Sequence, residues 1–118
     1  MQRPSPNAPA PGTRVCALAE VPDGGGHAVV FGQGRDAFDL LLLRRGQAVF
    51  GYLNRCPHQG LPLDVAADQF LVEEGQRVVC GHHNATFSLD DGRCLGGPCT
   101  GGLEPFAVRV EGDAVVAG

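Results

Sequence analysis

The sequence predicts an all-β fold of short antiparallel strands with a loop-rich insertion, and three observations carry that expectation. Eighteen glycines and nine prolines punctuate 118 residues, a density that argues against a helix bundle. The apolar runs between them are short. Compact turn signals separate those runs, among them V-P-D-G-G-G, R-R-G, D-D-G and E-G-D. The length is that of one domain.

Taken in order, Arg14 to Leu18 and His27 to Phe31 read as the first two strands, divided by the proline–glycine turn. Phe38 to Leu43 and Gln47 to Leu53 read as a hairpin, with Gly46 where the turn needs positive φ. The run Leu40 to Leu43 is continuously apolar, as expected of a central strand buried on both faces. From Asn54 to Thr100 the character changes, and glycine, proline, cysteine and histidine dominate. The strand candidates there are Arg77 to Cys80, Thr86 to Leu89 and Arg93 to Leu95, the last two joined by Asp90-Asp91-Gly92. Phe106 to Val110 and Ala114 to Val116 form a closing hairpin.

The expected organisation is therefore a sandwich or barrel base from 13–53 and 100–118, whose terminal strands pair, bearing a subdomain from 54–99. Four prolines among the first twelve residues make 1–12 an expected disordered, solvated tail.

Composition narrows the function. A net charge of −4, no tryptophan and a single tyrosine argue against nucleic acid, whose phosphates require a basic surface. The same charge suits docking onto a basic patch of a protein partner. No stretch is long and apolar enough to cross a bilayer, and the N-terminus lacks the apolar core of a secretory signal. A cytoplasmic home is expected, where thiols stay reduced. The five cysteines then read as metal ligands or buried thiols before they read as disulfides.

Two motifs in the insertion carry chemistry: Cys56-Pro57-His58 and Cys80-Gly81-His82-His83. Each supplies one thiolate and one imidazole. A zinc finger commonly groups its cysteines in one knuckle and its histidines on a helix, around a single tetrahedral ion. Here each loop is mixed, as required if each loop must reach both metals of a two-iron centre with two cysteines on one iron and two histidines on the other. A Cys2His2 zinc site, and with it a structural or interaction module, stays open on spacing alone.

The segments C-P-H-Q-G-L-P-L-D and C-G-H-H-N-A-T-F, followed by D-G-R-C-L-G-G-P, resemble the Rieske [2Fe–2S] domain. The likeness to the small soluble Rieske ferredoxins that serve ring-hydroxylating oxygenases runs from about Arg14 to Val116. It implies the Rieske fold and a [2Fe–2S] cluster held by Cys56, His58, Cys80 and His83. In that family the cysteines bind the inner iron and the histidines the outer one, which lies at the surface. Gly96-Gly97-Pro98 matches the loop that covers the cluster. His82 is expected not to ligate. The family usually has glycine where this chain has Asn84, a residue that tolerates the left-handed conformation comparatively well. High-potential relatives carry an extra cysteine in each ligand loop, where this chain has Leu61 and His82. They also carry serine and tyrosine hydroxyls, where it has Ala85 and Phe87. These absences assign the low-potential branch.

The resemblance implies a one-electron carrier rather than an enzyme, passing electrons from a flavoprotein reductase to a terminal oxygenase or similar acceptor. A nitrite-reductase small-subunit-like domain is the alternative within the family. Cys94 and Cys99 flank the covering turn, where a redox pair or an alternative ligand set is the functional reading and a pair of buried thiols the expected one; Cys16, inside an apolar strand, is expected in the core. His27 is expected to be an ordinary strand histidine.

Overall fold

The computed structural model describes residues 7–57, 62–64, 69–80, 85–97 and 101–118, with Arg35 described by its backbone alone. Ten strands are present among them: β1 (Arg14–Ala17), β2 (Gly26–Phe31), β3 (Phe38–Arg45), β4 (Ala48–Leu53), β5 (Leu71–Glu73), β6 (Arg77–Val79), β7 (Thr86–Ser88), β8 (Cys94–Gly96), β9 (Val108–Glu111) and β10 (Ala114–Ala117). Two single 3₁₀ turns, Leu18–Glu20 and Gly34–Asp36, complete the regular structure. The strands form three antiparallel sheets, ordered β1-β10-β9, β2-β3-β4 and β5-β6-β7-β8. The third sheet comes entirely from the segment between β4 and β9.

Strand β3 organises the interior. Leu40, Leu41, Leu42 and Leu43 are all completely buried, each contributing roughly 1.5–3 kcal/mol by leaving water. Side chains alternate across a strand, and the four divide accordingly. Leu40 and Leu42 enter one core with Cys16, Leu18, Val21, Phe38 and Val115. Leu41 and Leu43 enter a second core with Tyr52, Cys56, Leu63, Val78, Cys80, Ala85, Phe87, Leu89 and Leu103. Turning into β4, Gly46 has a φ of 63°, the positive value expected of the hairpin turn.

The closing hairpin starts later than the sequence predicts. Residues 104–106 instead lie along the free edge of β4, where Leu53 N donates to Glu104 O at 2.9 Å and Phe106 N to Gly51 O at 2.9 Å. Pro105 forms a single bridge with Tyr52, and with no N–H it cannot continue a regular ladder. Only at Val108 does the chain turn to β10. Strand β5 is not expected from the sequence at all. It exists because the turn around Glu74 and Gly75, with φ of 56° and 63°, folds Leu71–Glu73 back onto β6.

The proline-rich start departs from a solvated tail over residues 7–12. Asn7 Nδ2 donates to Asp36 O at 2.8 Å, Ala8 packs on the first core, and Gly12 N donates to Ala117 O at 2.8 Å. Residues 1–6 lie outside the described residues. Among the described residues no helix is long and apolar enough to cross a membrane.

Candidate metal centre

Strand β4 delivers the first candidate loop. Asn54 N donates to Asp39 O at 2.9 Å, extending the β3–β4 ladder by one bond, and Arg55 N then closes a tight turn onto Leu53 O at 2.8 Å. The chain leaves the sheet there and Cys56 drops into the interior, completely buried, with Pro57 exposed beside it. The buried Asn54 is occupied on both sides of its amide. Its Oδ1 accepts from Leu63 N at 2.9 Å, while Nδ2 stands 3.3 Å from Asp39 Oδ2 and 3.4 Å from Asp64 Oδ1.

Strand β6 delivers the second loop. Cys80 follows Val79 and is also completely buried. Its N–H donates to Ala85 O at 2.7 Å, so the backbone itself closes the excursion that contains the second motif before β7 begins. Cys56 and Cys80 thus meet in one apolar core, and neither is in a disulfide. His58, His82 and His83 lie outside the described residues, as do Leu61, Gly81 and Asn84. Among the described residues no group of three or more metal-ligating side chains gathers.

Ala85 and Phe87 line the same core, both fully buried. In the segment expected to cover the cluster, Gly97 has a φ of 83°; Pro98 and Cys99 lie outside the described residues. Cys94, on β8, departs from the expected buried thiol: it is half-buried and disulfide-bonded. Cys16 meets expectation, buried in the first core with its thiol pushed up to about 11, first by burial and then by the Glu20 carboxylate.

Two side chains from the base hold the third sheet. Tyr52, on β4, donates its buried hydroxyl to Leu89 O at 2.5 Å, at the start of the Asp90–Gly92 turn that joins β7 to β8. Burial, reinforced by Asp91 and Asp90, pushes this phenol up to about 12. The ring lies so close to Gly92 that a Cβ there would stand 2.7 Å from Tyr52 Cε1, and Gly92 has a φ of 74°. Glycine satisfies both conditions at that turn. Arg45, at the end of β3, pairs with Asp90 Oδ1 and donates to Gly75 O at 3.2 Å, so it reaches two turns of the third sheet. Sequence reasoning singles out none of Asn54, Tyr52 or Arg45. Their only local signal is a polar group closing an otherwise apolar strand.

Two buried cysteines, outside disulfides and brought together in an apolar core by two separate loops, fit a sulfur-ligated iron centre. The family model of the Rieske [2Fe-2S] domain matches residues 12–107, and the chain belongs to that family. Its cofactor is accordingly a Rieske-type [2Fe–2S] cluster. The chain is 29% identical over 100 residues to the ferredoxin component of the naphthalene 1,2-dioxygenase system of Pseudomonas aeruginosa, covering 85% of this chain and 88% of that one. It is 29% identical over 97 residues to the 3-phenylpropionate/cinnamic acid dioxygenase ferredoxin subunit of Photorhabdus laumondii, covering 82% and 84%. The ferredoxin of carbazole 1,9a-dioxygenase from Nocardioides aromaticivorans has the same fold, with a TM-score of 0.72 at 22% identity over 92% of this chain and 97% of that one.

Proposed function

We propose that this chain is a one-electron carrier that takes electrons from a flavoprotein reductase and passes them to a terminal oxygenase, with its cluster held by Cys56, His58, Cys80 and His83. The observation that carries the reading is the convergence of Cys56 and Cys80 in one buried core, each with a histidine two or three residues further along its loop. When bound, the cluster accepts and releases a single electron. The protein's part is to hold the two thiolates in a site from which water is excluded, and to present the two imidazoles. The relatives named as dioxygenase ferredoxin components support delivery to an oxygenase. A reductase donor and a cytoplasmic location complete the proposal; Cys16, Cys56 and Cys80 outside disulfides suit a reducing compartment, while the disulfide at Cys94 runs against it.

Two measurements test it separately. Iron and acid-labile sulfide assayed on the C56S, C80S, H58A and H83A variants should show the cluster lost in each and retained in H82A. A colourless H82A would overturn the ligand assignment. Stopped-flow mixing of the reduced, cluster-loaded protein with an oxidised ring-hydroxylating terminal oxygenase should reoxidise the protein as the oxygenase is reduced. A protein that stays reduced, cluster intact, would defeat the delivery role while leaving the ligands untouched.

A further inference from the structure

The two ligand loops are closed in different ways. Among the described residues the second is closed by a backbone bond, Cys80 N to Ala85 O at 2.7 Å. The first leaves β4 at Asn54, and its far side returns to the core at Leu63, which is completely buried. Between those two points the tie among the described residues is a side chain: Asn54 Oδ1 accepts from the buried Leu63 N at 2.9 Å.

The orientation of that amide is dictated by its surroundings. Its nitrogen faces two carboxylates, Asp39 Oδ2 at 3.3 Å and Asp64 Oδ1 at 3.4 Å, and its oxygen faces a backbone N–H. Turning the amide over would set its oxygen against both carboxylates and its nitrogen against a donor, so only one orientation satisfies the site. Asn54 is 5% exposed, too buried for water to replace these bonds readily. Asp39 belongs to β3 and Asp64 to the far side of the loop. One side chain therefore references both ends of the loop to the central strand, two residues before Cys56.

We propose that Asn54 is the positioning residue of the first ligand loop, fixing Cys56 relative to Cys80 by clamping the loop's start to Leu63 and Asp64 and to Asp39 on β3. This rests on the reading of Cys56 as a ligand. Asn54 touches no reacting atom and acts through the loop it holds.

The test uses the cluster-loaded protein. N54L keeps the approximate volume and removes every side-chain hydrogen bond at this position. N54D keeps the acceptor for Leu63 N but adds a third carboxylate beside Asp39 and Asp64. Both should shift the electron paramagnetic resonance g-values and the midpoint potential of the reduced protein. Both should also speed cluster loss to a chelator by about tenfold, N54L by stranding the buried Leu63 N–H and N54D by setting a carboxylate oxygen against Asp39 and Asp64. The double variant N54D/D39N restores a donor–acceptor pair between the same two positions, with donor and acceptor exchanged, and should recover wild-type spectra more closely than N54D alone. A role in filling space predicts no such recovery. Wild-type g-values and potential in N54L, cluster intact, would overturn the proposal. So would N54D/D39N spectra no closer to wild type than those of N54D, a comparison available even if N54L fails to fold. C56S separates the two readings: a C56S protein that keeps a normal cluster would remove the ligand assignment, whereas altered spectra in N54D beside a colourless C56S support both.

Discussion

Ala85 and Phe87 share a fully buried core with Cys56 and Cys80, and neither side chain carries a proton to donate. Reduction places negative charge on the sulfurs of a thiolate-bound centre, so a hydroxyl aimed at them stabilises the reduced form. A85S and F87Y should therefore raise the midpoint potential. A hydrogen bond to a charged group is worth roughly 1.5–3 kcal/mol, which sets a ceiling of about 65–130 mV per donor for a one-electron couple. The shift should fall below that ceiling because the bond also exists, more weakly, before reduction. Protein-film voltammetry measures it, and unchanged potentials in both variants would mean that these side chains do not point at sulfur. Tyr52 supplies a second prediction. Its phenol rises from 10 in the unfolded chain to about 12 in the fold, so the folded state holds a proton that the unfolded state releases between those values. Stability is thus fully present below about pH 10 and is lost as pH climbs toward 12. All nine basic side chains are arginine, so no lysine titrates across this window. Urea unfolding from pH 9 to 12 should show a drop in wild type that is smaller in Y52F, with Cys16 adding its own loss from about 9 to 11. Equal slopes in the two proteins would contradict a buried, neutral phenol. At this scale a local motif singles out Cys56 and Cys80, which the fold buries in one core. No motif marks Asn54 and Tyr52, because each is defined by a partner far along the chain, Asp39 and Leu89 respectively.

Strands announced themselves where apolar runs met turn chemistry. Phe38–Arg45 and Ala48–Leu53 form the hairpin that Gly46 marks, and Thr86–Ser88 and Cys94–Gly96 flank the Asp90–Gly92 turn. Leu71–Glu73 is not legible because its pairing with β6 depends on a turn with Glu74, a non-glycine residue, at positive φ. The start of β9 is not visible in the sequence because Phe106 is as apolar as Val108 and Val110; the bonds from Phe106 N to Gly51 O and from Leu53 N to Glu104 O assign residues 104–106 to a different edge. Composition misled at Cys94. A reducing compartment favours thiols, yet this strand residue is disulfide-bonded while Cys16, Cys56 and Cys80 are not. Cluster-free, unfolded protein purified without reductant should accordingly show three reactive thiols, and five after reduction. Five before reduction would place Cys94 back among the thiols.

Across the whole molecule, the two cores share one wall. Strand β3 sends Leu40 and Leu42 into the core that holds Cys16 and Val115, and Leu41 and Leu43 into the core that holds Cys56 and Cys80. Neighbouring positions of one strand, all completely buried, thus serve different purposes, and substitution can separate them. L41A and L42A each remove the same atoms from a closed interior, and each should cost about 2–5 kcal/mol of global stability through lost transfer energy and residual cavity. Their effects on the metal centre should diverge. The cavity left by L41A opens inside the core that packs around the two thiols, whereas that left by L42A opens across the sheet from them. Loss of visible absorbance in the presence of a chelator, well below the unfolding midpoint, should therefore be faster in L41A than in L42A even after matching the two for stability with denaturant. Local opening around the thiols governs release under those conditions, not the global equilibrium. Equal rates of cluster loss at matched stability would mean that the interior responds as one body, and that β3 is a common core element rather than a partition between the base and the metal centre.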